Sequence, residues 1–441
     1  MARRSARIPL NVFLNGKLVG RLQREPSGAI EFQYDRSWLE WESAITVSLS
    51  LPLREDRYIG APVFAVFDNL LPDNEGMRRR VAETAGAQGP DAFSLLAAIG
   101  RDCVGALQFL PAGVDPGKAG DVSGRRVNDS VVASIIANLD RNPLGIGDDA
   151  EFRIALAGAQ EKTALLSLKK KWLVPHGSTA TTHILKPEIG KLENGIDMSL
   201  SVENELLCME LVRALGLPAA PTKMVDFAGR RVLVVERFDR VWAKDGRLLR
   251  VPQEDFCQAL SVPPNRKYQA DGGPSIVDIS NLLLGSDQPA VDRRTFFKSQ
   301  VVFWLLAAVD GHAKNFSVQL SSGCRFKMTP LYDVMSVQPA IKAKQISHNK
   351  TKLAMSLGKS RHYVIDKISP RHFEETADEC GLPSGTAREV FRELVDTTPK
   401  AIQGTLGKLP KGFPAKLGDQ IAEGALARLK QLERALTSKA G

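Results

Sequence analysis

The sequence predicts an α+β chain of two lobes, β-rich in its first half and dominated by helical patterns beyond about residue 250. Three observations point there. Asn15-Gly16 stands between two short apolar runs near the start. Between about 150 and 240, strand-like segments alternate with turns around a single helical stretch. After that, apolar residues recur at helical spacing to the end of the chain.

Val12-Phe13-Leu14 and Leu18-Val19 flank Asn15-Gly16, the pair favoured where both central residues of a hairpin turn take positive φ. FAVFDNLLPDNEGMRRRVAET (64–84) is expected as one helix, and the Gly-, Pro- and Asp-rich stretch 111–125 as a linker or exposed loop. FRIALAGAQEKTALLSLKKKWLVP (152–175) reads as two or three tightly joined strands, and TTHILKP as another stopped by Pro187. ENELLCMELVRALGL (203–217) is a helix with Leu207, Leu211, Ala214 and Leu215 on one face, ended by Gly216 and Pro218. RRVLVVERFDR (230–240) is a strand leaving into a polar segment. The last helix is expected over IAEGALARLKQLERALTSK, with Leu426, Leu429, Leu432 and Leu436 forming its stripe. Gly145-Ile146-Gly147-Asp148 imitates a dinucleotide fingerprint but has no third glycine, and reads as a turn; the basic run 341–352 reads as a loop.

At 441 residues the chain exceeds one compact core, and 43% hydrophobic with 25% charged residues is the balance of a globular protein. Five scattered cysteines and six histidines show no metal-ligand spacing, which excludes a disulfide framework or zinc site and fits a reducing cytoplasm. The basic opening MARRSARIPL lacks the apolar run of a signal peptide, and VVFWLLAAV (301–309) is half the length of a bilayer span, so no membrane association is expected. A net charge of +9 suits nucleic-acid phosphates, but equally a solvated face or a site holding ATP and an acidic protein.

The residues that carry chemistry are VDGHAKNFSVQL (309–320) and TPLYDV (329–334). Phosphoryl transfer needs a carboxylate to orient the attacking hydroxyl and oxygen ligands to hold Mg²⁺ on ATP; D-x-x-x-x-N, here Asp310 and Asn315, supplies both from one loop. A hairpin of FSVQL, the turn SSGC and CRFKM would deliver Asp333 as the second Mg²⁺ ligand. His312 and Lys314 would touch phosphate or shape the loop. Taken singly, Asp310 reads as a helix stop, Asn315 as a turn residue and Asp333 as a surface carboxylate; their order behind an apolar helix is what points to a site. Leu156-Ala157-Gly158-Ala159-Gln160-Glu161-Lys162-Thr163 suits a phosphate loop, or a plain β-turn. Lys186 at a strand end could reach the phosphates, held by Glu205, with Glu203 as the alternative, or could be solvated. Glu236 and Phe238 fall where an adenine-binding hinge belongs, or mark a strand exit with a salt bridge.

At these positions the sequence resembles the HipA family of bacterial toxin serine/threonine kinases. The resemblance runs through FDNLLPDN (67–74), IGRDCVGAL (99–107), AGAQEKTALL (157–166), THILK (182–186), ERFDR (236–240), PQEDFCQ (252–258), DGGP (271–274), DGHAKNFS (310–317) and LYDV (331–334). It implies a bilobal protein-kinase-like fold: a β-rich N-terminal subdomain (1–112), an N-lobe with the phosphate loop (113–240) and a larger, all-α C-lobe (241–441). It implies Asp310 as the catalytic aspartate, Asn315 and Asp333 on Mg²⁺, Lys186 and the 156–163 loop on the phosphates, and Glu236 and Phe238 at the nucleotide. The implied partners are a HipB-like helix-turn-helix antitoxin dimer, operator DNA mainly through that antitoxin, and a seryl group on a translation protein such as glutamyl-tRNA synthetase. The family's self-phosphorylated serine falls at Ala155, which has no hydroxyl. Either this protein lacks that self-inactivation naturally, or the residue was introduced to prevent it; ATP binding is expected to survive both ways. Two further readings fit the same residues: an idle corepressor subunit of an antitoxin–DNA complex, and a small-molecule kinase.

Overall fold

The computed structural model describes residues 8–147 and 152–437, so the basic opening segment, Asp148 of the predicted turn, and residues 438 and 439 of the predicted last helix lie outside the described residues. The chain divides into two compact units, one of Met1–Pro187, Asp226–Asn265 and Val318–Phe326, the other of Glu188–Val225, Arg266–Ser317 and Lys327–Gly441.

Two larger antiparallel sheets lie in the first unit, beside the short pair Arg240–Trp242 and Leu248–Arg250. In the first, the hairpin Leu10–Leu14/Lys17–Arg24 turns through Asn15 (φ 46°) and Gly16 (φ 79°), as the Asn-Gly pair requires. Strands Ile30–Tyr34 and Tyr58–Ile59 extend it on one side, and Leu107–Pro111 pairs with Leu10–Leu14 on the other. The single helix expected over 64–84 is two, Ala61–Asp68 and Glu75–Ala85. The break falls at Pro72, which has no N–H to continue a helix, and Asn74 then starts the second by accepting Met77 N at 2.9 Å. Residues 112–123 contain no helix or strand. The second sheet runs Arg230–Glu236, His183–Pro187, Thr163–Leu168, Lys171–Pro175, Gly124–Val127, with Lys186 opposite Leu233. Leu166 and Leu173 of this sheet form a buried cluster with Ala180 and Leu248.

The second unit is mainly helical. Helix Ser201–Ala214 ends at Gly216 (φ 78°) as its sequence predicts. The apolar helix Pro289–Leu306 is buried along its last two turns and stops at Ala307, whose left-handed backbone lets Ala307 and Ala308 cap the preceding carbonyls. The last helix, Ala415–Thr437, lies against Thr386–Leu406. Its buried stripe is Leu417, Ile421, Ala425, Leu429 and Leu432, whereas Leu426 and Leu436 are half-exposed. The predicted stripe was turned by part of a helical rotation because the leucines were counted and the alanines were not. Nor is this unit purely helical: Lys352–Leu357 and His362–Val364 pair as a hairpin within the segment expected to be all-α. Its strands are short and mark themselves little by alternation. The basic run 341–352 holds the end of helix Gln338–Lys342, a 3₁₀ turn at His348–Lys350 and the first residue of that hairpin. Among the described residues no helix is long and apolar enough to cross a membrane. All five cysteines are free thiols.

Candidate functional site

In the second unit, the D-x-x-x-x-N loop closes on itself. The Asp310 carbonyl accepts His312 N at 2.8 Å and Asn315 Nδ2 at 2.7 Å, and Asn315 N donates to His312 O at 2.9 Å. The side chain of Asn315 therefore spends a donor on the loop's own shape, which fixes its amide plane. Gly311 is required by packing: a Cβ there would stand 2.5 Å from Cδ2 of Phe303. Ala354 N donates to Val309 O at 3.0 Å, tying the unpredicted hairpin to the residue before Asp310. His312, Lys314 and Asn315 are buried, while the Asp310 side chain is 61% exposed.

Asp333 reaches this loop's neighbourhood through the predicted hairpin, Ser317–Ser321 and Arg325–Met328, with Gly323 (φ 75°) and Cys324 (φ 57°) in its turn. Thr329 N donates to Ser317 O at 2.9 Å, closing its base. Tyr332 then ties the two segments: its hydroxyl donates to Lys314 O at 2.9 Å and shares a hydrogen bond with Ser317 Oγ at 2.5 Å. The next residue, Asp333, has φ 60°, a left-handed backbone that aspartate tolerates better than most residues. Leu331 is held from both sides, donating to Pro218 O and accepting from Ala220 N, each at 2.8 Å. The structure thus brings Asp310, His312, Lys314 and Asn315 into one loop and clasps the Asp333 segment to it. Glu203 and Glu205 are buried on helix Ser201–Ala214 of the same unit.

An amide oxygen and a carboxylate are hard donors, the kind that Mg²⁺ takes, and Mg²⁺ on ATP needs only one or two protein carboxylates beside phosphate and water. The absence of a cluster of three or more His, Cys, Asp or Glu among the described residues is compatible with that.

The phosphate-loop candidate lies in the first unit, between Phe152 and strand Thr163–Leu168. Ala155 is fully buried and donates its N–H to Asp102 O at 3.0 Å. Gly158 has φ 100°, and a Cβ there would approach Lys162 Nζ to 2.6 Å. Lys162 Nζ donates to Ala157 O at 2.8 Å, so the ammonium also shapes the loop. Gln160 Nε2 donates to Pro187 O at 3.1 Å, joining the loop to the strand of Lys186, itself buried. Asp73 N donates to Gly158 O at 3.2 Å, and Arg80 pairs with Glu161 at 2.6 Å. Burial raises the Glu161 carboxyl above its usual range even against Arg80. The FDNLLPDN segment thus buttresses this loop, a role that its sequence did not announce.

Glu236 is exposed and Phe238 half-exposed at the end of strand Arg230–Glu236. The residues around them answer the salt-bridge reading. Arg237, Arg240 and Arg250 converge on Asp102, at 3.5, 2.8 and 3.0 Å, and Arg237 and Arg240 also bind Asp239 at 2.7 and 2.9 Å. All five are buried. Burial alone would raise the Asp102 carboxyl, but the three guanidiniums hold it far below the carboxylate range. Desolvation and neighbouring Arg237 bring Arg240 down to about 10. The IGRDCVGAL and ERFDR segments are joined in one ion cluster at Asp102, whose carbonyl also anchors the candidate phosphate loop through Ala155 N.

Comparison with known proteins shows the family of the chain. Residues 10–110 match the model of the HipA N-terminal domain and residues 154–402 that of the HipA-like C-terminal domain. A protein named putative kinase Y4mE, from Sinorhizobium fredii, is 34% identical over 401 residues, 90% of this chain and 91% of that one. The serine/threonine-protein kinase toxin HipA of Shewanella oneidensis is 26% identical over 417 residues, 91% of this chain and 90% of that one. The solved HipA of the Shewanella oneidensis complex with HipB and operator DNA superposes with a TM-score of 0.79 at 23% identity, covering 98% of this chain and 100% of that one. Both family models and a relative matched along nine-tenths of its length establish that the chain belongs to the HipA family.

Proposed function

We propose that this chain is an ATP- and Mg²⁺-dependent serine/threonine protein kinase and the toxin of a type II toxin–antitoxin module. The observation that carries the reading is the closed loop of Asp310 and Asn315, with Tyr332 clasping the Asp333 segment to it. Asp310 takes the proton of the acceptor hydroxyl, and Asn315 and Asp333 hold Mg²⁺, which supplies charge neutralisation on the phosphates. Lys186 with the 156–163 loop holds the phosphates, Glu205 holds Lys186, His312 and Lys314 add donors, and Glu236 and Phe238 bind the nucleoside. The acceptor is a seryl group on a translation protein such as glutamyl-tRNA synthetase, whose modification arrests growth in the cytoplasm. A HipB-like helix-turn-helix dimer neutralises the kinase and corepresses its operon on operator DNA; the Shewanella oneidensis complex supports this partner. The retained Asp310, Asn315 and Asp333 set weighs against an idle corepressor.

The test is incubation with γ-labelled ATP, Mg²⁺ and a bacterial lysate. Wild type is expected to label a small number of proteins on serine, and Asp310→Ala and Asp333→Ala none. Labelled protein from either variant, or a labelled small molecule alone, overturns the proposal.

A further inference from the structure

The motif DGGP (271–274) belongs to a segment, 267–274, for which the proposed chemistry gives no role. In the structure that segment is a tight knot built to hold one side chain. Asp271 N and Gly273 N both donate to the Tyr268 carbonyl, at 3.0 and 2.9 Å. Gly272 (φ 87°) offers its carbonyl to Arg266 at 3.1 Å, and a Cβ on Gly273 would collide with Arg266 O at 2.1 Å, so the two glycines are demanded by the turn. The adjacent Gln269 accepts Ser356 N at 2.8 Å and Ser356 Oγ at 3.1 Å, docking the knot on the hairpin that also holds Val309.

The side chain fixed in this way is aimed at Asp310. Tyr268 stands edge-on to His312 with ring centroids 4.9 Å apart, and its hydroxyl donates to Asp310 Oδ1 at 2.5 Å. His312 Nε2 lies 3.8 Å from the same oxygen. A carboxylate as exposed as Asp310 would otherwise sample several rotamers, each move costing reaction geometry. A phenol that donates to it restricts that freedom and keeps the carboxylate oxygen oriented.

We propose that Tyr268 is a positioning residue for phosphoryl transfer, holding the Asp310 carboxylate oriented toward the acceptor hydroxyl through one short hydrogen bond. The inference rests on the reading of Asp310 as the group that accepts the hydroxyl proton. Its test compares wild type, Tyr268→Phe and Asp310→Asn as full chains, following initial rates of label transfer from γ-labelled ATP into lysate protein over a range of ATP concentrations. The phenylalanine keeps the ring against His312 and removes only the hydroxyl. Its maximal rate is expected to fall roughly ten-fold, a fraction of what a positioned acid–base group contributes, with the KM for ATP and the melting temperature unchanged. A wild-type rate in Tyr268→Phe overturns the inference while leaving the role of Asp310 standing. So does a slower variant with a raised KM or a lowered melting temperature, which assigns Tyr268 to structure alone. An active Asp310→Asn overturns the underlying reading and this inference with it.

Discussion

Asn204 and Ser336 exchange two hydrogen bonds across 132 residues of chain: Asn204 Nδ2 donates to Ser336 O at 2.7 Å, and Ser336 N donates to Asn204 Oδ1 at 2.9 Å. Both are buried. Ser336 Oγ in turn donates to Leu306 O at 2.5 Å, at the end of the apolar helix. The amide therefore connects three things: the helix carrying Glu205, the segment leaving Asp333, and the helix that launches Asp310. Asn204→Ala leaves a buried N–H and a buried carbonyl without a partner, a loss of about 1–3 kcal/mol. Urea denaturation is expected to show that loss, and label transfer to slow as the Asp333 segment loosens. A variant with the wild-type midpoint and rate would show the pair to be incidental.

Asp102 predicts a stability effect with a definite pH window. Its buried carboxylate faces Arg237, Arg240 and Arg250, so removing its charge leaves Arg237 and Arg240 to share Asp239 and takes from Arg250 the carboxylate it binds. Breaking a buried ion pair by removing one partner costs about 3–5 kcal/mol. Since the folded carboxyl is held below its unfolded value, the stabilisation is complete above that unfolded value, about pH 4, and is lost as pH falls through the folded one. Asp102→Asn is therefore expected to be strongly destabilised at pH 7, with the gap closing only in strong acid. Unfolding midpoints across pH 2–7 check this, and a gap independent of pH would refute the electrostatic account.

How much of this was readable in the sequence depended on how local the determinant was. Asn15-Gly16 specifies its own turn, Gly216 its own helix stop, and Asp310 with Asn315 its own loop, since the donor and acceptor lie five residues apart. The ion cluster was not readable: Asp102 meets its arginines across 135 to 148 residues, and nothing near Asp102 signals that partner. Tyr268 was missed for the same reason, being 42 residues from Asp310. The 64–84 helix was misread because the apolar period outweighed Pro72, and the leucine stripe of the last helix because small residues pack as well as large ones. Gly424 shows why: a Cβ there would stand 2.4 Å from Gln338.

Glu254 predicts the opposite pH slope from Asp102. It is buried beside Leu49, whose N–H donates to Oε1 at 2.7 Å, and desolvation pushes its carboxyl from 4.5 up to about 8. The folded chain therefore holds a proton that the unfolded chain has released. Its contribution is full below the unfolded value and is lost as pH rises from about 4.5 through about 8. Gln cannot ionise and keeps an oxygen for Leu49 N. Glu254→Gln should match wild type in thermal melts near pH 5 and become progressively more stable than it toward pH 8.5. Parallel melting curves over that range would exclude Glu254 as the source of alkaline lability.

Arg80 tests whether the buttress beneath the proposed phosphate loop matters for ATP. The Arg80–Glu161 pair is partly exposed, with side chains 42% and 32% accessible, so its own contribution to stability is small. Its effect lies in order: with Asp73 N on Gly158 O, it holds both limbs of the loop to one subdomain before any ligand arrives. Arg80→Ala leaves that ordering to be done on binding, at a cost on the order of 1 kcal/mol, or roughly five-fold in Kd for ATP. The chain's melting temperature should barely move, because the arginine holds no part of the core. Calorimetric titration with a non-hydrolysable ATP analogue measures the difference directly. Asp102→Asn provides the contrast, since it acts on folding and leaves the backbone carbonyl that anchors Ala155 in place. If Arg80→Ala binds the analogue as wild type does, the loop is already ordered by Gly158 and Lys162 alone, and the subdomain contact serves only to pack it.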